Sequence, residues 1–219
     1  GSDVRIRNLF GVFGVYELNY FLSVVFSIIT FIILVNSFNL IDGIDGLAGS
    51  YGLICFGLFG ISYYRLGEYN YPLVILSTTI MGSIFGFLFY NLSDRTKKIF
   101  MGDTGSMVLG FLLTFTGSGS IDIFIVRRRP GVVYYHLNSA PVIAVAILIL
   151  PIIDTLNVII IRLAEKRSPF EADKNHIHHK LLRMGLSHKR ATFYIISYYL
   201  FIVLVAYFLR HLENNSLLV

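Results

Sequence analysis

The chain has 219 residues, of which 55% are hydrophobic and only 14% are charged, and its formal net charge is +5. Soluble globular proteins carry about 25% charged residues, so this composition excludes an ordinary soluble domain and indicates a membrane protein. The basic residues are dispersed and form no recognisable nucleic-acid-binding module, so we expect no nucleic-acid partner. The single cysteine, Cys55, excludes an intrachain disulfide framework.

Apolar runs of the length of a membrane span recur along the whole chain. A spanning helix needs about 20 mostly apolar residues. In chain order, the candidate spans are residues 18–35, 47–64, 72–92, 105–126, 139–163 and 191–209. Alternation of period two is absent, so we do not expect a barrel. The sequence therefore predicts an all-α integral membrane protein, a polytopic helix bundle with about six transmembrane helices.

Six spans divide the connecting segments between two sides of the membrane. Residues 36–46, 93–104 and 162–190 fall on one side and carry 11 of the lysines and arginines, whereas the other side carries seven. Positive charge favours the cytoplasm, so the first side is predicted to be cytoplasmic, although three consecutive arginines at 127–129 oppose this assignment. All three segments with unusual polar clusters lie on this predicted cytoplasmic side.

The first cluster is the sequence NSFNLIDGIDGLAGS, in which Asn36, Asn39, Asp42 and Asp45 recur every third residue. Three residues turn 300° on an ideal helix, so the quartet converges only if the helix tightens or ends here. The neighbouring glycines make such an ending easy and let a ligand approach the backbone. A polar helix end capped by aspartate is the alternative, but capping leaves the second aspartate and both asparagines unexplained.

The second cluster, MGDTGS, places Asp103 immediately before an apolar run. This carboxylate is either an N-cap or a ligand of Mg²⁺, which prefers one or two carboxylates together with phosphate oxygens and water. Lys97 and Lys98, just upstream, either face phosphate or anchor the helix end at the cytoplasmic surface.

The third cluster holds His176, His178 and His179 in a basic segment that also contains Arg167. Zinc is disfavoured because no cysteine lies nearby and the spacing is not that of a helical zinc motif. Histidines that hydrogen-bond to phosphate or to a nucleobase fit the positive surroundings better. A solvated basic loop remains the alternative.

Asp154 lies within the fifth predicted span, about 12 Å before the cytoplasmic boundary at a rise of about 1.5 Å per residue. An ionisable group at that depth is a functional candidate, although it can also serve to pair with Arg162 or with a neighbouring helix. Pro151 can break the same helix. A cation- or proton-coupled transporter is therefore a second hypothesis, and an inactive membrane scaffold is a third.

The segments NSFNLIDGIDGLAGS, KKIFMGDTGSMVLG and SPFEADKNHIHHKLLRMG, in this order, resemble the polyprenyl-phosphate N-acetylhexosamine-1-phosphate transferases. The His-Ile-His-His form is similar to the bacterial branch that uses N-acetylglucosamine to start O-antigen, enterobacterial common antigen or teichoic acid linkage units. The resemblance implies a membrane enzyme that moves a sugar 1-phosphate from a UDP-sugar to undecaprenyl phosphate and releases UMP. It also implies a multi-pass protein of the bacterial inner membrane, with its active site facing the cytoplasm.

The resemblance assigns roles to individual residues. Asp42, Asp45 and Asp103 are the predicted catalytic residues, and Asp103 and Asp42 are the predicted ligands of Mg²⁺ or Mn²⁺. The predicted substrate-binding residues are Asn36, Asn39, Asn91, Lys98, Arg167, His176, His178 and His179. The segment YNLSDRTKKIF departs from the commoner form with Pro-Ala, which leaves the role of Asn91 open. The predicted partners are the UDP-sugar, the polyprenyl phosphate and the lipid bilayer, and homo-oligomerisation stays open.

The chain also departs from the family pattern in its extent. Residues 1–219 resemble one transmembrane portion, the fifth to tenth spans of the family, with the N-terminal spans absent. The adjacent aspartate pair of the family has no counterpart in the sequence. We therefore expect activity in a full-length parent and no turnover by this chain alone.

Overall fold

The computed structural model describes residues 4–12, 14–93, 96–125, 140–168 and 176–209. Within them the elements are β1 (Asn8–Val12), β2 (Val15–Glu17), α1 (Tyr20–Ile41), α2 (Leu47–Arg65), a 3₁₀ turn (Glu68–Asn70), α3 (Tyr71–Asn91), α4 (Gly102–Ile125), α5 (Ala140–Ala164), α6 (Ile177–Arg183) and α7 (His188–Phe208). The fold is therefore the predicted all-α bundle, and each predicted span corresponds to one of the long helices. The predicted connection at 127–138 lies outside the described residues.

Five of the long helices are apolar enough and long enough to cross a membrane, by length and composition: α1, α2, α3, α5 and α7. The sixth long helix, α4, has 24 residues and is rich in glycine, serine and threonine. These small residues let it pack closely on α1, because a Cβ on Gly110 would lie 3.1 Å from the Cα of Val35. The chain is thus a multi-pass membrane protein in which small residues bring α4 close to α1.

Local sequence signals account for several helix ends. The side chain of Asn19 accepts a hydrogen bond from the N–H of Leu22 at 2.9 Å and caps α1. A proline lies in the first turn of α3, where its missing N–H removes no helical bond. Helix α1 continues to Ile41, six residues beyond its predicted end, so Asn36 and Asn39 lie on the helix itself.

The N-terminal hairpin of β1 and β2 is an element that the sequence patterns did not predict. The hairpin is followed by α1. Ile6, which precedes β1, lies against this helix. The N–H of Ile6 donates to Ser27 Oγ at 2.8 Å, and Ser23 Oγ donates to the Ile6 carbonyl at 2.6 Å. Two buried serines of an apolar helix therefore bond to the backbone of the strand-like segment beside it.

Helix α2 forms the centre of the bundle. Tyr51, Cys55, Phe56 and Phe59 on this helix are each at most 1% exposed. The hydroxyls of Tyr51 and Tyr199 both donate to the carbonyl of Ile147 at 2.9 Å, which joins α2, α7 and α5 around one acceptor. The outward faces are apolar as well, with exposed phenylalanines on α1, α3 and α7, as expected of surfaces that meet lipid.

Three connections meet at one end of this bundle: the α1–α2 turn, the α3–α4 segment, and residues 176–187, which include α6 and precede α7. Direct contacts join them, including the ion pair of Asp45 with Lys98 and the contact of Gly43 with His178. The structure thus places the three polar clusters of the sequence at the same end. Helix α5 runs without interruption through Pro151 to this end.

Candidate functional site

The turn between α1 and α2 places two aspartates outside regular helix. Helix α1 ends at Ile41, and the N–H of Asp42 bonds to the Asn39 carbonyl at 3.3 Å. Gly46 has φ of +76°, a left-handed conformation that favours glycine, and precedes the first residue of α2. The predicted ending of the helix at the glycines is confirmed, and it frees Asp42 and Asp45 from the helical spacing.

Asn91 holds this turn from the end of α3. Its side chain is buried, its Oδ1 accepts the N–H of Gly46 at 2.7 Å, and its Nδ2 donates to the carbonyl of Ile99 at 2.9 Å. One amide therefore links the α1–α2 turn to the α3–α4 segment. In the structure, Asn91 joins two of the three polar clusters.

Asp45 is the most heavily bonded of the predicted catalytic aspartates. Its Oδ2 accepts from Lys98 Nζ at 2.5 Å and lies 3.0 Å from His188 Nδ1. Thr192 Oγ1 donates to its backbone carbonyl at 2.8 Å. His188 and Thr192 were not among the predicted residues, and their only sequence signal is their place at the start of the last span. Two basic side chains therefore surround the Asp45 carboxylate.

Asp42 and Asp103 form the second carboxylate group of the site. Asn39 Oδ1 accepts from the buried Ser106 Oγ, which links the end of α1 to the first turn of α4. Burial, followed by the negative charge of Asp103, raises the pKa of Asp42 to about 6. Two carboxylates thus face the same region, one partly buried and one exposed at the start of α4.

This carboxylate pair fits a hard divalent cation better than a fully protein-ligated metal. No group of three or more His, Cys, Asp or Glu side chains with metal-binding geometry occurs in the described parts of the chain. Mg²⁺ needs fewer, because it binds through one or two carboxylates and completes its octahedron with water and substrate phosphates. The raised pKa of Asp42 also indicates repulsion between the carboxylates that a cation between them would relieve.

The three histidines lie around the start of α6, and His178 contacts the α1–α2 turn. A Cβ added to Gly43 would lie only 2.1 Å from His178 Nε2, so the imidazole ring occupies the space that the glycine leaves. The ring of His178 is parallel to that of His176, with centroids 5.7 Å apart, and lies 4.3 Å from that of His179. The histidine cluster is therefore packed directly on the turn that carries the aspartates.

His178 is held in an environment that disfavours its charged form. It is 1% exposed, and burial, followed by the proximity of His179, lowers its pKa to about 4, with Asp154 acting in the opposite direction. Its Nδ1 has no hydrogen-bond partner in the part of the chain that the structure describes. A buried, neutral imidazole of this kind packs against the turn without adding positive charge to the site.

Asp154 reaches the histidine cluster from α5. It is 5% exposed, its Oδ2 lies 2.8 Å from His176 Nδ1, and its Oδ1 accepts the N–H of Ile177 at 2.7 Å. The buried carboxylate of the fifth span therefore bonds to the histidine segment. Helix α5 continues through Pro151, so the broken helix that the transporter hypothesis assumed is absent from α5.

Two predicted residues lie apart from these contacts. Asn36 is exposed on α1 and donates its amide to the Ile32 carbonyl one turn earlier at 2.7 Å, so the structure brings it into no contact with the aspartates of the described residues. Arg167 follows the end of α5, where its guanidinium pairs with Glu165 at 3.1 Å. Residues 169–175, which precede the histidines, lie outside the described ranges.

Comparisons with known proteins identify the family of the chain. The model of the family described as glycosyl transferase family 4 matches residues 1–119. The chain is 34% identical over 203 residues to the decaprenyl-phosphate N-acetylglucosaminephosphotransferase of Mycolicibacterium smegmatis, covering 89% of the chain and 48% of that protein. It is 37% identical over 160 residues to the probable undecaprenyl-phosphate N-acetylglucosaminyl 1-phosphate transferase of Bacillus subtilis, covering 73% and 40%.

A third relative is the undecaprenyl-phosphate alpha-N-acetylglucosaminyl 1-phosphate transferase of Yersinia pestis, 31% identical over 159 residues, which cover 72% of the chain and 40% of that protein. The chain spans about half the length, or somewhat less, of the curated relatives it matches.

Proposed function

Because the chain belongs to glycosyl transferase family 4, we propose that the protein transfers N-acetylglucosamine 1-phosphate from its UDP-sugar to a polyprenyl phosphate. UMP is the second product. The observation that carries this proposal is the meeting of Asp42, Asp103 and the histidine cluster at one end of a membrane bundle. Such a place suits a reaction between a lipid phosphate and a soluble nucleotide.

Asp42 and Asp103 would hold the divalent cation. The metal, Mg²⁺ or Mn²⁺, supplies positive charge that offsets the charge of the diphosphate when it is bound. Two carboxylates whose charges repel, as the raised pKa of Asp42 indicates, are a favourable pair for this purpose. Substrate phosphates and water would complete the coordination shell of the metal. This agrees with a site in which the described residues supply fewer than three protein ligands.

The transfer needs little proton chemistry from the protein. A phosphate oxygen of the acceptor attacks the β-phosphorus of the UDP-sugar, and a new P–O–P bond forms. The bond between the β-phosphorus and the bridging oxygen breaks, and UMP leaves with that oxygen. Since polyprenyl phosphate is already a nucleophile near neutral pH, positioning and charge neutralisation dominate the catalysis.

Asp45 and its basic partners have a different role from the other two aspartates. Lys98 and His188 both contact the Asp45 carboxylate, which therefore holds two basic groups beside the α1–α2 turn. Lys98 is partly exposed, with 21% of its side-chain surface accessible, so its ammonium can also meet a phosphate. In this proposal Asp45 orients Lys98 toward the nucleotide rather than binding the metal.

In this proposal the histidines line the nucleotide site. His178 stays neutral at physiological pH because burial lowers its pKa to about 4, so it offers hydrogen bonds without a charge. His179 is less buried and lies beside it, where it can meet the sugar nucleotide. This end of the bundle faces the cytoplasm of a bacterial inner membrane, which the excess of lysine and arginine in its segments supports.

Transfer of radiolabel tests the proposal. Because activity is expected of a full-length parent, membranes that contain that parent are incubated with UDP-[¹⁴C]GlcNAc, undecaprenyl phosphate and Mg²⁺, and the organic-extractable label and released UMP are measured. We expect both products in equal amounts, little product from UDP-glucose, and none after chelation of the metal. Absence of labelled lipid with UDP-GlcNAc and with UDP-GalNAc would refute the proposed reaction.

A further inference from the structure

Asp154 is a buried carboxylate in a membrane span, and its two oxygens bind successive residues of the histidine segment. Oδ2 lies 2.8 Å from His176 Nδ1 and Oδ1 accepts the Ile177 N–H at 2.7 Å, while 3% of the Asp154 side-chain surface is exposed. We propose that Asp154 is a positioning residue for the sugar-phosphate transfer and that it sets the tautomer and orientation of His176. This inference rests on the proposed function.

The chemistry of the two partners decides where the imidazole proton lies. A carboxylate oxygen only accepts hydrogen bonds, so the Nδ1 of His176 must donate to it. The hydrogen bond at one ring nitrogen determines which nitrogen carries the proton of a neutral imidazole. In its neutral form His176 therefore carries its proton on Nδ1, and its Nε2 keeps a lone pair for a donor on the substrate or on a bound water.

The second bond of Asp154 fixes the place of that ring. Because Oδ1 accepts from the Ile177 backbone, the carboxylate cannot rotate without losing one bond, and the first residue of α6 stays beside α5. The His176 ring is parallel to the His178 ring within 9°, and the His178 ring fills the space beside Gly43. A continuous set of contacts thus runs from Asp154 to the turn that carries Asp42.

An asparagine at position 154 separates the proposed role from simple anchoring. Its side chain has the size of aspartate, and its oxygen can still accept from Ile177. Its NH₂ group then faces His176, and since an amide nitrogen only donates, Nδ1 must become the acceptor. The proton of His176 moves to Nε2. A structural anchor survives this change, whereas a residue that sets the tautomer does not.

Thr155 offers a matched control on the same helix. Its Oγ1 is buried and has no hydrogen-bond partner in the described part of the chain. Thr155→Val therefore removes a buried polar atom one residue away without breaking a bond. We expect it to leave both the tautomer of His176 and the transfer rate unchanged.

The experiment combines nitrogen NMR with kinetics on the purified full-length parent in lipid. The ¹⁵N shifts of labelled histidine report which ring nitrogen is protonated, and His176→Asn identifies the signals of this residue. We expect protonated Nδ1 in the unsubstituted protein and protonated Nε2 in Asp154→Asn. The kcat of Asp154→Asn should fall about 10- to 100-fold, the range for groups that orient a functional histidine, with the melting temperature preserved.

Three results would overturn the inference. The His176 signals could be the same in Asp154→Asn as in the unsubstituted protein, the tautomer could change without a change in kcat, or Thr155→Val could lose as much activity as Asp154→Asn. If the unsubstituted protein transfers no sugar phosphate, the proposed function fails and the role in transfer fails with it. The NMR spectra do not depend on turnover, so they would still decide whether Asp154 sets the His176 tautomer.

Discussion

The contact between Gly43 and His178 gives the sharpest test of the site, through the substitution Gly43→Ala. The φ angle of Gly43 is not left-handed, so the backbone itself accepts alanine. The added methyl group, however, would lie 2.1, 2.7 and 2.9 Å from Nε2, Cε1 and Cδ2 of His178. All three distances are shorter than any normal contact with a Cβ, so the ring must move.

The cost follows from how firmly the ring is held. His178 is 1% exposed and packed between His176 and His179, so it has little room to shift. Overpacking of such a site typically costs about 1–3 kcal/mol. If the protein relieves the clash by moving the ring out of the site, this energy lowers the fraction of molecules with the ring in place about 5- to 150-fold. We expect transfer activity to fall within that range.

Thermal unfolding of the purified protein and transfer of label from UDP-GlcNAc are the two measurements. Gly82→Ala is the control, because Gly82 lies on α3 with nothing within 4 Å of an added Cβ. In the double variant Gly43→Ala/His178→Ala the clash is gone, so the loss of stability should be smaller than the sum of the single losses by about 0.5–3 kcal/mol. Transfer should stay low because the ring is absent.

Two results would refute this reasoning. Normal stability together with normal transfer in Gly43→Ala would mean that the His178 ring does not occupy the space beside Gly43. Strict additivity of the two substitutions in unfolding free energy would mean that the methyl group and the ring do not meet.

Three further predictions concern the carboxylates and the turn. Asp103→Asn should lower transfer at least about 100-fold, because it loses the charge that holds the metal, whereas Glu68→Gln at the opposite end of the bundle should be neutral in the same assay. Mg²⁺ affinity, measured calorimetrically, should weaken as pH falls through about 6, because the pKa of Asp42 is raised and its protonation competes with metal binding. An affinity that does not change between pH 5 and pH 7.5 would contradict this prediction. Asn91→Leu should destabilise the protein by about 1–3 kcal/mol in thermal unfolding, because the buried N–H of Gly46 loses its acceptor.

The prediction of the site from sequence worked best where residues are close along the chain. The spacing of Asn39, Asp42 and the glycines predicted a helix end, and α1 does end at Ile41. The same spacing predicted that Asn36 joins the aspartates, and the structure does not bring it to them. Because α1 continues past this residue, its amide turns back to the helix backbone and lies apart from the aspartates.

The hairpin at residues 8–17 shows a second limit. Its strands are five and three residues long, and apolar and polar residues do not alternate regularly along either strand. Short strands of this kind take their stability from a neighbouring element, here through the bonds of Ile6 to two serines of α1. Such long-range bonds leave no periodic signal in the sequence.

The sequence by itself determined the membrane class, the approximate limits of the long helices, and the polar clusters that the structure places at one end of the bundle. These properties follow from the length of apolar runs and from helix-ending residues, which act over a few positions. Only the tertiary structure decided which carboxylates are paired. Asp45 meets Lys98 and His188, 53 and 143 positions away, whereas Asp42 faces Asp103. The physical reason is that packing of α1, α4, α6 and α7 sets these distances, and hydropathy carries no information about which polar side chains such packing brings together.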